Sequence, residues 1–520
     1  MIFKKMLCVI LTILLTISVL VGCSKESKKN DGMVVEPGTG DQITLNPLEL
    51  TLHMRVGPEA FDFEKQTMFQ EVFKITNMKM RGTSSQAATS GQQEFNLMLT
   101  NQPLPDIIHG TKAQLNNAGV DGALIPLDDL IEKYAPNISA FLKEVPEAKK
   151  ASVASDGKLY YIPFYREGLP AAGFYVRKDW LDKLNLEVPK NVDEYYNVLK
   201  AFRERDPNGN GIKDEVPFFQ REKSINGLLQ LWNAQFNWYI DENGQYIHGK
   251  LQPEYKTAMI NLAKWYAEGL IDKEIYSRGS EARQQLLGDN VGGATHDWFS
   301  STGSFNETLK DKINNFEFLA IPPPADVNGV VKETRGRSSL TGHGWGISVD
   351  NKYVVESIKY MDFWFTPQGI RIANFGVEGV DYTLVDGKPV FTDKVLKASG
   401  GAPTYLRSIG QAQQGGRMYL ESELQGMTSY AREGFNLYLE NDYVLEQLPQ
   451  FSFTREEERV IKERELAITT YIDEVAQKWL FGIESVEEGF DKYIQQFESM
   501  GYKEVQAAYQ SAYERYKKTK

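Results

Sequence analysis

Leu104-Pro105-Asp106-Ile107-Ile108 reads as a buried strand emerging into His109-Gly110. Just upstream, Phe95-Asn96-Leu97-Met98-Leu99 closes an expected helix. Further back lie a strand-like Leu48 to Val56, an amphipathic helix around Phe63 to Ile75 and a short strand near Met78 to Arg81. Strands alternating with helices predict a mostly parallel sheet covered by helices, so the fold class is α/β.

Downstream, a second α/β region is expected from about Phe174. It has helices at Val192 to Arg205 and Tyr255 to Glu268, the latter placing Met259, Leu262, Trp265 and Tyr266 on one face. Asn243-Gly244 within Tyr239 to His248 signals a hairpin. Pro322-Pro323-Pro324 marks a crossing or hinge, since proline suits neither helix nor strand interior. A helix is expected at Val354 to Phe365, and the tail is mainly helical, with Val505, Tyr509, Ala512 and Tyr516 at helical spacing. Trp180, Trp265, Trp364 and Trp479 fall on helical stretches and read as packing residues. Because a single core stops growing near about 250 to 300 residues, a 520-residue chain predicts at least two lobes.

The first residues bear on the compartment. Lys4 and Lys5 precede an apolar run from Met6 to Val21 that ends in Leu20-Val21-Gly22-Cys23, the order of a secretory signal with a lipobox. The run is interrupted by Thr12, Thr16 and Ser18 and falls short of the roughly 20 apolar residues of a membrane span. Residues 1 to 22 are therefore expected to be removed and Cys23 to carry diacylglycerol. Residues 23 to 47 form an expected tether, its Ser24 to Asp41 stretch rich in Ser, Lys, Asn and Gly. The formal charge of −12 becomes two units more negative once Lys4 and Lys5 leave, which argues against a nucleic-acid partner. Cys8 leaves with the signal and Cys23 is acylated, so no disulfide remains to stabilise the mature chain.

The sharpest chemical motif is Asp206-Pro207-Asn208-Gly209-Asn210-Gly211-Ile212-Lys213-Asp214-Glu215. Oxygen donors at Asp206, Asn208 and Asn210 can converge on one hard cation. Gly211 permits the sharp turn, Ile212 offers its carbonyl, and Asp214 with Glu215 completes the shell. Calcium is the expected ion. The loop departs from the EF-hand because its twelfth position is Pro217, which argues for a fixed structural clip over a switch.

The chain resembles the extracellular solute-binding lipoproteins of ABC importers, particularly the alginate- and oligosaccharide-binding proteins. The resemblance covers most of residues 45 to 520. It rests on the stretches above and on Leu124-Ile125-Pro126-Leu127-Asp128-Asp129-Leu130 with Lys133-Tyr134-Ala135-Pro136. It continues in Tyr175-Val176-Arg177-Lys178-Asp179-Trp180-Leu181, in Glu268-Gly269-Leu270-Ile271-Asp272 and in Phe375-Gly376-Val377-Glu378-Gly379-Val380-Asp381-Tyr382. It implies a two-lobed periplasmic-binding-protein fold of type II-like character, each lobe a mixed, mostly parallel sheet flanked by helices, with a helical C-terminal region. One lobe is expected from residues 48–172 and 345–410, the other from 173–344 and 411–520. Alginate-binding relatives hold calcium in a similar loop, so the resemblance supports the same donors. It further implies a monomer, lipid-anchored on a Gram-positive surface more readily than in a periplasm, that delivers an oligosaccharide to permease subunits and catalyses nothing.

A sugar site needs flat aromatic faces for the pyranose ring and planar polar groups for its hydroxyls. Trp298 is the leading candidate, because Gly292-Gly293-Ala294-Thr295 reads as a strand entering His296-Asp297-Trp298-Phe299 and ligands sit beyond such strand ends. The same logic adds Arg55, His109 and Trp345, with Glu378 and Tyr382 from the glycine-rich segment. Arg55 or His109 meeting a uronic carboxylate would suit an acidic oligosaccharide. Two alternatives are a surface-anchored polysaccharide-degrading enzyme, for which no nucleophile elbow, HExxH motif or P-loop is present, and a peptide-binding receptor on the same scaffold.

Overall fold

The computed structural model describes residues 35–56, 59–60, 62–85, 90–411, 416–448 and 450–519. The signal, the lipobox and Cys23 lie outside the described residues.

Two sheets organise the chain. The first has six strands in the order Arg417–Met418, Ile162–Arg166, Leu340–Ile347, Ile107–Thr111, Leu48–His53 and Met78–Gly82. Leu48–His53 runs parallel to both of its neighbours, as the β-α-β reading predicts, while Leu340–Ile347 runs antiparallel to both of its own. Ile107 and Ile108 are both fully buried on opposite faces. Ile107 joins a core with Trp345 and Trp364, and Ile108 one with Phe95 and Leu115. That two-sided burial is why the strand reads as a continuous apolar run.

The strand begins three residues later than its first apolar residue. Asp106 exchanges hydrogen bonds with Thr51 at 2.7 to 2.8 Å, and the Leu104 amide donates to Asp350, so this stretch is held by side chains before the ladder starts. His109 and Gly110 are consequently inside the strand. The next helix, Lys112–Val120, starts at once, closed by a capping box between Thr111 and Gln114.

The second sheet has the order Phe318–Ile321, Ala172–Arg177, Gly292–Trp298 and Val216–Phe218. Ala172–Arg177 is antiparallel to both neighbours, and Gly292–Trp298 pairs in parallel with Val216–Phe218, so this sheet is mixed. Its core gathers Trp180, Tyr255, Met259 and Trp265 with Ile472, Trp479 and Phe497 from the C-terminal helices Arg455–Leu480 and Val486–Ser499. Trp180, Trp265, Trp364 and Trp479 are all buried, as their helical positions predict.

Among the described residues the chain crosses between the sheets three times: after Ile162–Arg166, after Phe318–Ile321 through Pro322-Pro323-Pro324, and after Arg417–Met418. The six-stranded sheet takes in all of Leu340–Ile347 and the edge strand Arg417–Met418, so its limits fall some residues away from the expected 345 and 410. Among the described residues no helix is long and apolar enough to cross a membrane.

Candidate functional site

Between the lobes lies a cavity of about 880 Å3. Lys112 and Asn116 line it from the first lobe, Phe236, Trp238 and Tyr239 from the second, and Gln447, Gln450 and Phe451 from the returning chain. Trp238 is fixed by stacking on Tyr509 at 4.9 Å, Tyr502 at 5.4 Å and Tyr246 at 5.5 Å. Rings and amides side by side are what a hydroxylated ring with one apolar face requires.

Two features tune the cavity's charge. Lys112 is buried, donates to the Gln450 carbonyl, and burial pushes its ammonium down to about 7. Glu446, Glu458 and Glu465 also line the space. Glu458 accepts from Asn117 at 2.8 Å, and Glu465 from the Tyr509 hydroxyl at 3.0 Å.

The ligand candidates read from the sequence lie in several places. Trp298 ends its strand with 49% of its surface exposed, and the Arg221 guanidinium covers one ring face at 4.0 Å. Asp297, buried, holds Arg221 at 3.1 Å and Arg283 at 3.3 Å, so the indole is braced from behind. Trp345 is only 2% exposed, packs edge-on to Phe164 at 5.6 Å and belongs to the core. It sits mid-strand, so the strand-end argument does not apply to it.

His109 is also buried, stacked between His343 at 5.5 Å and Phe164 at 6.1 Å, and burial followed by the His343 charge pushes it down to about 3. Arg55 is held in a buried ion pair with Glu94 at 2.9 Å. The Tyr382 hydroxyl donates to Glu378 at 3.2 Å, with Tyr382 itself buried. In these positions Arg55 and His109 do not present charge to a uronate.

The loop at 206–215 is tightly folded. Asp206 accepts from the amides of Gly209, Asn210 and Gly211 at 2.9 to 3.1 Å. Asp206, Gly209 and Gly211 have positive φ of 45°, 77° and 74°. Asn208 and Asn210 donate to the Asp214 carboxylate at 3.0 to 3.3 Å, and Lys183 ties the loop down through the Pro207 carbonyl. Glu215 is buried with both carboxylate oxygens lacking a hydrogen-bond partner, and burial, then Asp214 and Asp206, push its carboxyl up. A buried carboxylate without a donor among three acids is a fit for a hard cation. Among the described residues no group of three or more His, Cys, Asp or Glu side chains is drawn together as a metal cluster, and half of this donor set is amide and carbonyl.

The cavity residues escaped sequence reading because they come from three segments more than a hundred residues apart. The one available signal was the density of rings and amides in Gln235-Phe236-Asn237-Trp238-Tyr239.

Two α/β lobes joined by three crossings, with a cavity lined from both, define the scaffold of a solute-binding protein. The chain belongs to the bacterial extracellular solute-binding protein family, whose profile matches residues 63–374. It is similar to the fructooligosaccharide ABC transporter substrate-binding protein FusA of Streptococcus pneumoniae, at 27% identity over 88% of each chain. It is similar also to the polygalacturonan/rhamnogalacturonan-binding protein YtcQ of Bacillus subtilis, at 24% identity over 87% of this chain and 89% of that one. The solved structure of the alginate-binding protein AlgQ2 without calcium ion superimposes with a TM-score of 0.77 at 38% identity, over 91% of this chain and 99% of that one.

Proposed function

We propose that the chain captures an oligosaccharide outside the cell and delivers it to the permease subunits of an ABC importer. The observation that carries this is the inter-lobe cavity of about 880 Å3 with its rings and amides. Volumes of about 300 to 1,000 Å3 suit small ligands of a few rings. Relatives named for fructooligosaccharide, polygalacturonan and alginate binding support a carbohydrate ligand. Trp298, braced by Arg221, lies outside the lining of that cavity and is a further candidate stacking face. The reading includes no catalysis: the protein binds and releases sugar unchanged. It also includes a monomer held at the membrane by the acylated Cys23, in line with similarity to the lipoprotein LipO of Bacillus subtilis over 58% of this chain.

The 206–215 loop would hold a structural calcium through Asp206, Asn208, Asn210, the Ile212 carbonyl, Asp214 and Glu215. When bound, the ion neutralises the three acids and supplies no chemistry to the sugar. The protein's own part is the amide nest that aims Asp206 and the Lys183 contact that fixes the loop.

Thermal unfolding across a panel of neutral fructans, oligogalacturonides and peptides tests the reading, since a ligand selective for the folded state raises the melting temperature. One glycan class should stabilise the protein and be recovered intact. Stabilisation by peptides alone, or turnover of a glycan, sinks it.

A further inference from the structure

Arg337, in the second crossing, touches all three crossings at once. Its Nε donates to the Gly168 carbonyl at 2.6 Å and its Nη2 to the Glu167 carbonyl at 2.8 Å, both on the first crossing. Nη1 and Nη2 also donate to the two carboxylate oxygens of Glu423 at 2.7 Å each. Glu423 lies in the helix Leu420–Gly426, which opens the third crossing's path into the second lobe. All three guanidinium nitrogens are thus engaged, and the group packs 5.5 Å from the Phe435 ring of the second lobe.

The surroundings are built around this contact. The Arg337 amide donates to Leu169 at 2.9 Å, and the Glu167 amide to Met418 at 3.1 Å. Glu167 accepts from the Leu420 amide at 3.1 Å and from Arg417 at 3.3 Å. Gly168 has φ of 79°, and a Cβ there would sit 3.1 Å from Leu420 and Phe435 and 3.4 Å from Arg337, so the crossing approaches the guanidinium as only glycine permits. Arg337 and Glu423 keep only 15% and 20% of their side-chain surface exposed.

We propose that Arg337 is the clasp of the hinge: a positioning residue that makes the three crossings turn as one unit and so restricts which lobe arrangements the ligand-free protein visits. A bidentate, largely desolvated arginine–carboxylate pair is costly to open, because Arg337 would be left charged and dry and Glu423 would keep only the longer contact with Arg166 at 3.9 Å. Hinge motion is thereby confined to rotations that carry Glu167, Gly168 and Glu423 together with Arg337. Lobe closure on a solute, as proposed above, is the motion the clasp serves.

The test measures the lobes without any ligand, so its failure is separate from failure of the carbohydrate reading. Spin labels at Lys74→Cys in the first lobe and Ser280→Cys in the second, with Cys8 and Cys23 replaced by serine, report the inter-lobe distance distribution by pulsed electron resonance. Arg337→Gln should broaden that distribution, Glu423→Gln should do likewise, and Arg337→Lys, which keeps the charge but loses the fork, should broaden it less. Near-ultraviolet circular dichroism identifies folded variants. If Arg337→Gln does not fold, Glu423→Gln carries the test alone. A distribution as narrow as that of the unsubstituted protein in either folded variant overturns the proposal.

Discussion

Trp298 is the most exposed tryptophan placed at a strand end, and the Arg221 guanidinium lies over one of its ring faces. With one face taken by the guanidinium, the other is the face a pyranose can use. Trp298→Ala should weaken binding of the stabilising glycan by about 2 kcal/mol or more, the scale of an interface anchor, and calorimetry reads this directly. Arg221→Gln leaves the indole present but unbraced and should cost less. His109 has a different consequence. Its folded value of about 3 lies below the ordinary 6.5, so the unfolded chain takes up the proton first. Stability from keeping it neutral is complete above pH 6.5 and is lost as pH falls toward 3. At pH 5 that loss is about 2 kcal/mol. Urea unfolding at pH 7.5 and pH 5 should show a smaller acid-induced loss in His109→Gln than in the unsubstituted chain. Equal losses would mean that other groups carry the acid sensitivity.

At the level of elements, the 206–215 loop is a clip between the helices Lys178–Leu184 and Val192–Glu204 and the strand Val216–Phe218. Because Glu215 is buried without a donor, the metal-free loop bears a cost that a bound cation removes. Calcium at 100 times its dissociation constant should stabilise the second lobe by about 2.7 kcal/mol, and a chelator should reverse this. Glu215→Gln should abolish the calcium response yet leave the chelated protein no less stable, since a neutral amide is easier to bury than a charge. A calcium-independent melting temperature in the parent protein would exclude the site.

The same scale separates what could be read in the sequence. The opening β-α-β unit, the Asn243-Gly244 hairpin between Trp238–Ile240 and Tyr246–His248, and the loop itself were legible because each is decided by residues within one short segment. Trp345 and His109 lie inside strands, not beyond their ends, which was not legible because sequence marks a strand but neither its direction nor its last residue. Trp345 precedes the end of an antiparallel strand, and His109 belongs to one whose start is delayed by Asp106 and Leu104. The cavity was illegible because Lys112, Phe236 and Gln450 meet only after both lobes have formed.

For the whole molecule, separate cores in the two lobes mean that ligand capture need not repack either. The six-stranded sheet buries Leu50, Leu52 and Ile107 within its own lobe, while the C-terminal helices seal the second lobe through Trp479 and Phe497. Between them, among the described residues, stand the crossings, the helix Lys112–Val120, the returning chain around Gln450 and Phe451, and the contacts of Lys150 with Tyr516 and of Asn117 with Glu458. On the reading proposed above, the expected motion is a rigid-body rotation about 167–171, 322–339 and the segment after Met418. Saturation with the stabilising glycan should lower the radius of gyration measured by small-angle scattering. In the same samples, amide exchange inside both sheets should stay unchanged, while the crossings and the residues around Lys112 and Gln450 become protected. Protection spreading through either core without a change in radius would instead mean that the solute orders one lobe from within, and that the cavity between them is not where it is held.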